Sequence, residues 1–319
     1  VEKRTITDKI DNVTVIPEEC QSVTPPCPHA LKIELTAHCD FRCSFCATAL
    51  KLREQSEMDK EFFKKAVKDA RDSGVEEIGL FFLGESFLCK WLPEAIDYAK
   101  NVCKFPYVFL TTNGRLAKKE TVRKCMEAGL DSLKFSFNSS DEEQFEEMAR
   151  VPGKNFHIVV QNIKDAYAVR EELGADCGLY LSSIRYDGEQ FEKMEESVAE
   201  LRPYVDEHYW LPLYSQAGLN LEQMEAMGKK PVIGNFGRYG APFTTDLCFA
   251  LFREARITWD GKMSGCCFNH THEFDMGDLN EVTFMEAWHS QKYQDLRKAM
   301  LSKDLKGTPC ENCWTYPQD

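Results

Sequence analysis

Thr36-Ala37-His38-Cys39-Asp40-Phe41-Arg42-Cys43-Ser44-Phe45-Cys46 is the stretch on which the reading of this chain turns. It follows a short apolar run, Leu31 to Leu35, that reads as a strand. Its three cysteines are spaced C-x3-C-x2-C. Three thiolates this close can each hold one corner of a cubic [4Fe–4S] cluster, whose full protein ligation takes four cysteines. One iron is then left open to a small molecule. A zinc site of the three cysteines and His38 is the other reading of the same residues. Zinc sites usually pair their cysteines as C-x2-C on each side of a loop, which this stretch does not do.

Outward from that loop, helical and strand patterns alternate. Asp59 to Arg71 has helical periodicity and is closed by Gly74, and Val75 to Leu83 reads as a strand. Trp91–Cys103 is a helix, Phe105–Thr112 a strand, Lys118–Ala128 a helix and Leu130–Phe137 a strand. Helices follow at Asp141–Arg150 and Asn155–Leu173, then a strand at Cys177–Ile184, a helix at Gln190–Leu201 and a strand at His208–Leu213. Six strands alternating with helices predict a parallel α/β sheet with right-handed crossovers. In parallel barrels the chemistry sits at the C-terminal ends of the strands, where the loops that follow them converge. The cysteine loop follows the first strand, so it lies at that mouth.

Here the residues resemble a family. The C-x3-C-x-aromatic-C run, with Phe45 before its last cysteine, is similar to the signature of the radical S-adenosylmethionine (SAM) enzymes. That resemblance implies a partial (β/α)6 barrel of the TIM type over residues 31–213, with Cys39, Cys43 and Cys46 on a SAM-binding cluster. It also implies reductive cleavage of SAM to a 5′-deoxyadenosyl radical that takes hydrogen from a substrate. Leu83-Gly84-Glu85-Ser86 stands where the family carries Gly-Gly-Glu-Pro, and the match keeps Gly84 and Glu85 only. A carboxylate there suits the SAM ammonium. Thr111-Thr112-Asn113-Gly114 resembles the family's turn after the third strand. Ser136 and Asn138, on one face of the fourth strand, correspond to contacts with the SAM ribose and carboxylate, and Arg150 to an arginine pairing with that carboxylate.

Residues 1–30, with Pro17, Pro25, Pro26 and Pro28, are expected to be an extended N-terminal segment, too short and proline-rich for a separate peptide-binding domain. Residues 214–245, rich in Gly and Pro, read as a linker that covers the barrel mouth. Residues 246–319 hold five of the fourteen cysteines. Two strands, Ala255–Trp259 and Met263–Cys267, meet at Asp260-Gly261, a strong hairpin signal, and Phe284–Met300 reads as a helix. Cys248, Cys266, Cys310 and Cys313, in the order C-x17-C then C-x2-C, resemble the twitch domain, the shortened SPASM extension of some radical SAM enzymes. One auxiliary [4Fe–4S] cluster with four cysteine ligands is the expectation, because the sequence runs only six residues beyond Cys313. Cys266 is preferred to Cys267 because it keeps the glycine-to-cysteine spacing. A four-cysteine zinc ribbon is the alternative.

Composition narrows the partners. With 52 acidic against 39 basic residues the net charge is −13, which argues against a nucleic-acid backbone. No apolar run reaches the roughly 18 residues of a membrane span. Fourteen cysteines without a secretion signal predict a cytoplasmic, metal-binding protein. An external one-electron reductant, a flavodoxin or ferredoxin, is implied by the resemblance. So is a small polar substrate, by analogy with a cyclitol dehydrogenase of similar layout whose auxiliary cluster accepts an electron. An epimerase, with Cys89, Cys177 or Cys267 as hydrogen donor, a peptide-modifying maturase and a non-enzymatic metal-binding protein are the competing readings.

Overall fold

Thr5 caps the first helix, α1 (Ile6–Thr14), through a reciprocal box: its hydroxyl accepts from the Asp8 N–H, and the Asp8 carboxylate accepts from its own N–H. The computed structural model describes residues 5–232, 234, 237–242, 246–311 and 313. The expected linker's last residues, 243–245, and the C-terminal 314–319 lie outside them. The expectation of an extended segment over 1–30 is corrected by α1. The prolines begin only at Pro17, and a Thr-x-x-Asp box is a helix-start signal in its own right.

Strands β1 (Ala30–Ile33), β2 (Glu77–Gly79), β3 (Tyr107–Thr112), β4 (Ser132–Ser136), β5 (Gly178–Ile184) and β6 (Glu207–Leu211) pair in parallel, each with the next. They are linked by α2 (Lys60–Asp72), α3 (Leu92–Asp97), α4 (Lys119–Glu127), α5 (Glu142–Ala149) with α6 (Asn155–Leu173), and α7 (Glu189–Leu201). These are the six units of the expected partial barrel. Each crossover helix lays an apolar stripe on the sheet. In α2 the stripe is Phe63, Ala66, Val67 and Ala70, started by Asp59, whose side chain accepts from the N–H groups of Glu61 and Phe62. The second strand is shorter than predicted because the chain leaves the sheet after Gly79. Ser86 Oγ then donates to the Leu80 carbonyl at 2.6 Å and bends residues 80–86 back across the barrel mouth.

After β6 the chain forms α8 (Leu221–Ala226), then β7 (Glu254–Ile257), β8 (Lys262–Ser264) and β9 (Asp275–Asp278), and ends in α9 (Phe284–Trp288) and α10 (Gln291–Ser302). The hairpin at Asp260-Gly261 forms as predicted. Its first strand pairs in parallel with β1, Lys32 opposite Arg256, so one nine-stranded sheet runs β6-β5-β4-β3-β2-β1-β7-β8-β9. The single helix predicted over Phe284–Met300 is two, because Ser290 caps α10 by accepting from Tyr293.

Period-two alternation divides each barrel strand between helix-covered and interior faces. Leu31, Ile33, Ile78, Val108, Leu133 and Phe135 are buried on the first. Lys32, Tyr107, Phe109, Ser132, Lys134 and Tyr209 line the interior. Gly79 makes that interior possible: a Cβ there would lie 2.8 Å from the Phe81 ring and 2.9 Å from the Phe109 ring.

Candidate active site and auxiliary cysteine pocket

A cavity of about 220 Å³ opens at the C-terminal ends of β1 to β4, and Cys39, Cys43 and Cys46 line it together. Backbone hydrogen bonds fix their loop: Ser44 N donates to Met148 O at 2.8 Å and Arg42 N to Ala149 O at 3.0 Å, at the end of α5. Burial pushes the Cys39 thiol up to about 12, with the Glu85 carboxylate raising it further, and pushes Cys43 well above its ordinary value, with Cys46 and Cys39 adding to the rise. The set therefore binds only with loss of protons, as thiolate ligands do.

The same cavity takes in Phe45, Gly84, Glu85, Ser136 and Asn138. Gly84 is a matter of space. A Cβ on it would stand 2.0 Å from the Thr36 carbonyl oxygen, so only glycine lets the second loop pass against the first. The next residue then donates its N–H to His38 O at 2.8 Å. The Glu85 carboxylate is 3 % exposed and accepts from Phe87 N at 3.0 Å, Thr112 Oγ1 at 2.9 Å and Asn113 N at 2.8 Å. Burial pushes its carboxyl up to about 7 while these hydrogen bonds pull it down. An oriented, partly desolvated carboxylate is a good receptor for an ammonium group.

Two other sequence-predicted residues, Ser86 and Arg150, are placed differently. Ser86 is buried and bonded to Leu80 O, outside the cavity lining. Asn138 Oδ1 accepts from Ile184 N at 2.9 Å. Arg150 ends α5 in the left-handed region (φ 54°), is exposed, and does not line the cavity, although Ala149 does. From the expected linker, Gln216 Oε1 accepts from Ala47 N at 2.7 Å and Asn220 Nδ2 donates to Phe45 O at 2.6 Å. That segment is thus bonded to the cysteine loop.

A second pocket is lined by five cysteines, Cys248, Cys266, Cys267, Cys310 and Cys313, among apolar neighbours such as Leu251, Phe274 and Met300. Burial raises Cys248 well above the ordinary thiol range, Cys310 to about 12 and Cys313 to about 11. Cys266 and Cys267 share a hydrogen bond that raises the former and lowers the latter. Among the described residues no three thiol, imidazole or carboxylate groups converge on one metal-ion position. A cubic cluster asks for a different donor set, one thiolate to each of separate irons, and both cysteine groups supply it in number.

Between these two lies a cavity of about 250 Å³ in the barrel interior. It shares Phe81 and Thr111 with the first pocket and Cys267 and Phe268 with the second. Its far side is closed by α1 through Ile6, Lys9, Ile10 and Val13. Of the three thiols considered as hydrogen donors, Cys267 borders this cavity. Cys89 and Cys177 are 3 % and 0 % exposed and line none of the three. Tyr209 on β6 and Tyr214 just after it also line this cavity. Sequence reasoning missed Lys32, Lys134 and Glu254 in its wall. For the two lysines the available signal was a charged residue at an alternate position inside a largely apolar strand.

The chain is similar to known proteins in sequence and in fold. The Radical SAM superfamily model matches residues 33–201, and the model of the iron-sulfur cluster-binding SPASM domain matches 248–314. The tungsten-containing aldehyde ferredoxin oxidoreductase cofactor-modifying protein of Pyrococcus furiosus is 22 % identical over 316 residues, 89 % of this chain and 86 % of that one. The PqqA peptide cyclase of Granulibacter bethesdensis is 32 % identical over 127 residues, 40 % of this chain and 33 % of its own length. In fold, BtrN in complex with AdoMet and 2-DOIA aligns at TM-score 0.60 and 17 % identity, covering 90 % of this chain and 93 % of BtrN. Streptococcus suis SuiB bound to its precursor peptide SuiA aligns at 0.65 and 15 %, covering 90 % and 76 %.

Proposed function

The chain belongs to the radical SAM superfamily, and on that premise we propose that it oxidises a hydroxyl of a small carbohydrate or cyclitol to a ketone. It is a radical SAM enzyme with a SPASM domain, and its cofactors are SAM, a [4Fe–4S] cluster and auxiliary iron–sulfur. When bound, these groups supply a hydrogen-abstracting radical and an acceptor for one electron.

The observation that carries the proposal is the shared wall of the three cavities. A molecule in the central one touches Phe81 and Thr111 on the SAM side and Cys267 and Phe268 on the auxiliary side. Oxidation of a secondary alcohol removes one hydrogen atom, one electron and the hydroxyl proton. A chamber bordering both redox sites suits that division. Its volume of about 250 Å³, at the low end for ligand pockets, favours a small molecule over a peptide segment. In this reading Cys39, Cys43 and Cys46 hold the SAM-side cluster, and Cys248, Cys266, Cys310 and Cys313 the auxiliary one. Glu85 and Asn138 orient SAM, with Ser136 and the Phe45 ring as further walls. α1 and the apolar rings exclude water. The reductant is a small one-electron carrier.

The test is product mass after anaerobic turnover with a panel of sugars and cyclitols. A product two mass units lighter than its substrate, without deuterium from D2O, is expected. A product of unchanged mass carrying one deuterium after reaction in D2O would replace the proposal with epimerisation. Cys267 would then be the first thiol to substitute.

A further inference from the structure

The charges in the wall of the central cavity do not balance. Lys9, Lys32 and Lys134 face it against Glu77 and Glu254. Lys9 pairs with Glu77 at 3.4 Å and Lys32 with Glu254 at 3.0 Å. Glu254 also receives the guanidinium of Arg256, which is fully buried. Lys134 has no carboxylate within ion-pair distance among the described residues. It gives one hydrogen bond, at 2.9 Å, to the Tyr209 hydroxyl.

An ammonium has three donors, so two remain for a ligand. The Tyr209 hydroxyl accepts from Lys134 and keeps its own hydrogen to donate. Tyr209 is 6 % exposed and lines the same cavity. Toward the SAM side, Thr111 Oγ1 is buried with no hydrogen-bond partner, in a residue belonging to both cavities. A polar group left unsatisfied in a cavity wall costs stability unless something fills the role.

Strand geometry shows that these are wall residues by position. Ser132, Lys134 and Ser136 alternate on the inner face of β4, with Leu133 and Phe135 buried on the other. Lys134 therefore stands one step below Ser136 of the SAM cavity.

We infer that the central cavity is an oxyanion site: Lys134, with Tyr209 and Thr111, takes a carboxylate or phosphate group of the substrate. This rests on the proposal that the central cavity holds the substrate, and it narrows the substrate to an acidic or phosphorylated small molecule. The Lys32–Glu254–Arg256 group beside it adds a further positive excess that favours an anion entering.

The experiment uses the full chain carrying its clusters and SAM. Inorganic phosphate and acetate are titrated calorimetrically, and crystals are soaked in bromide. One saturable site is expected for at least one of the two anions; phosphate alone or acetate alone identifies the source. Lys134→Met weakens it about 10- to 100-fold, the effect of losing hydrogen bonds from a charged donor. Lys134→Arg restores most of it, and Thr111→Val weakens it less, with iron content held in each variant. Bromide is expected against Lys134 Nζ. No bromide in the cavity, or affinities unchanged in Lys134→Met, overturns the inference. A ketone formed from a neutral sugar, with acidic analogues inert, also overturns it while leaving the dehydrogenase reading intact. An anion site lost in Lys134→Met, without any lighter product, leaves the site standing and removes that reading.

Discussion

Lys32 of β1 and Glu254 of β7 meet at 3.0 Å in the wall of the barrel interior, so the C-terminal hairpin and the first barrel strand share both backbone pairing and a charge pair. Burial alone would raise the Glu254 carboxyl, but Arg256 and Lys32 outweigh it and hold it below its usual range. The pair's contribution is therefore present above the usual carboxylate pKa and lost as pH falls through the lowered one. Glu254→Ala, which leaves Arg256 buried and uncompensated, is expected to cost roughly 3–5 kcal/mol in denaturant unfolding at neutral pH. Lys32→Met should cost less, because Lys32 keeps 23 % of its side chain exposed. Equal losses would refute the asymmetry.

Replacing Cys39, Cys43 and Cys46 together with alanine should abolish 5′-deoxyadenosine formation by reduced, reconstituted protein. About four irons and four sulfides per chain should remain, as one further cube requires. Retained SAM cleavage would remove these cysteines from the site. Zinc in place of the remaining iron would make the C-terminal pocket a structural knot.

The adjacent pair Cys266 and Cys267 can be separated by iron content. Cys266→Ser is expected to lose the auxiliary iron, and Cys267→Ser to keep it. The reverse result would make Cys267 the ligand and remove it as a hydrogen donor. Both thiols face the pocket, so the iron assay decides between them.

Gly84→Ala places a methyl group 2.0 Å from Thr36 O, and backbone must move to admit it. A shift of the cysteine loop by an ångström should lower turnover by about 100-fold and also weaken SAM binding. Equilibrium dialysis against SAM measures it. An unchanged affinity would mean that the two loops are not in fixed contact.

Burial holds the Glu85 carboxyl near 7, well above its ordinary value of 4.5. SAM's ammonium favours the ionised form, so affinity should be full above about pH 7 and fall by up to tenfold per unit below it. Glu85→Gln should bind more weakly at pH 8 and lose the pH dependence. The same raised value means that folding takes up a proton between pH 4.5 and about 7, so this group's contribution to stability falls as pH rises through that window.

The sequence by itself determined the cysteine loop, the alternation of six strands with helices, Gly84-Glu85 in the loop after the second strand and the C-terminal C-x17-C, C-x2-C set. All are local: a spacing, a periodicity or a turn residue carries each. It also contained, unread, the Thr5-x-x-Asp8 box that starts α1. Only the tertiary structure decided that β7 pairs with β1, which makes the C-terminal strands part of the barrel's own sheet. Strand alternation says which residues share a face, but not which distant strand lies beside them or what that face surrounds. Lys32 and Lys134 thus read in sequence as polar interruptions of apolar strands, and Glu254 as a charged residue before one. Closing the sheet around them, with α1 beneath, turned those interruptions into the charged wall of a cavity between two cysteine clusters.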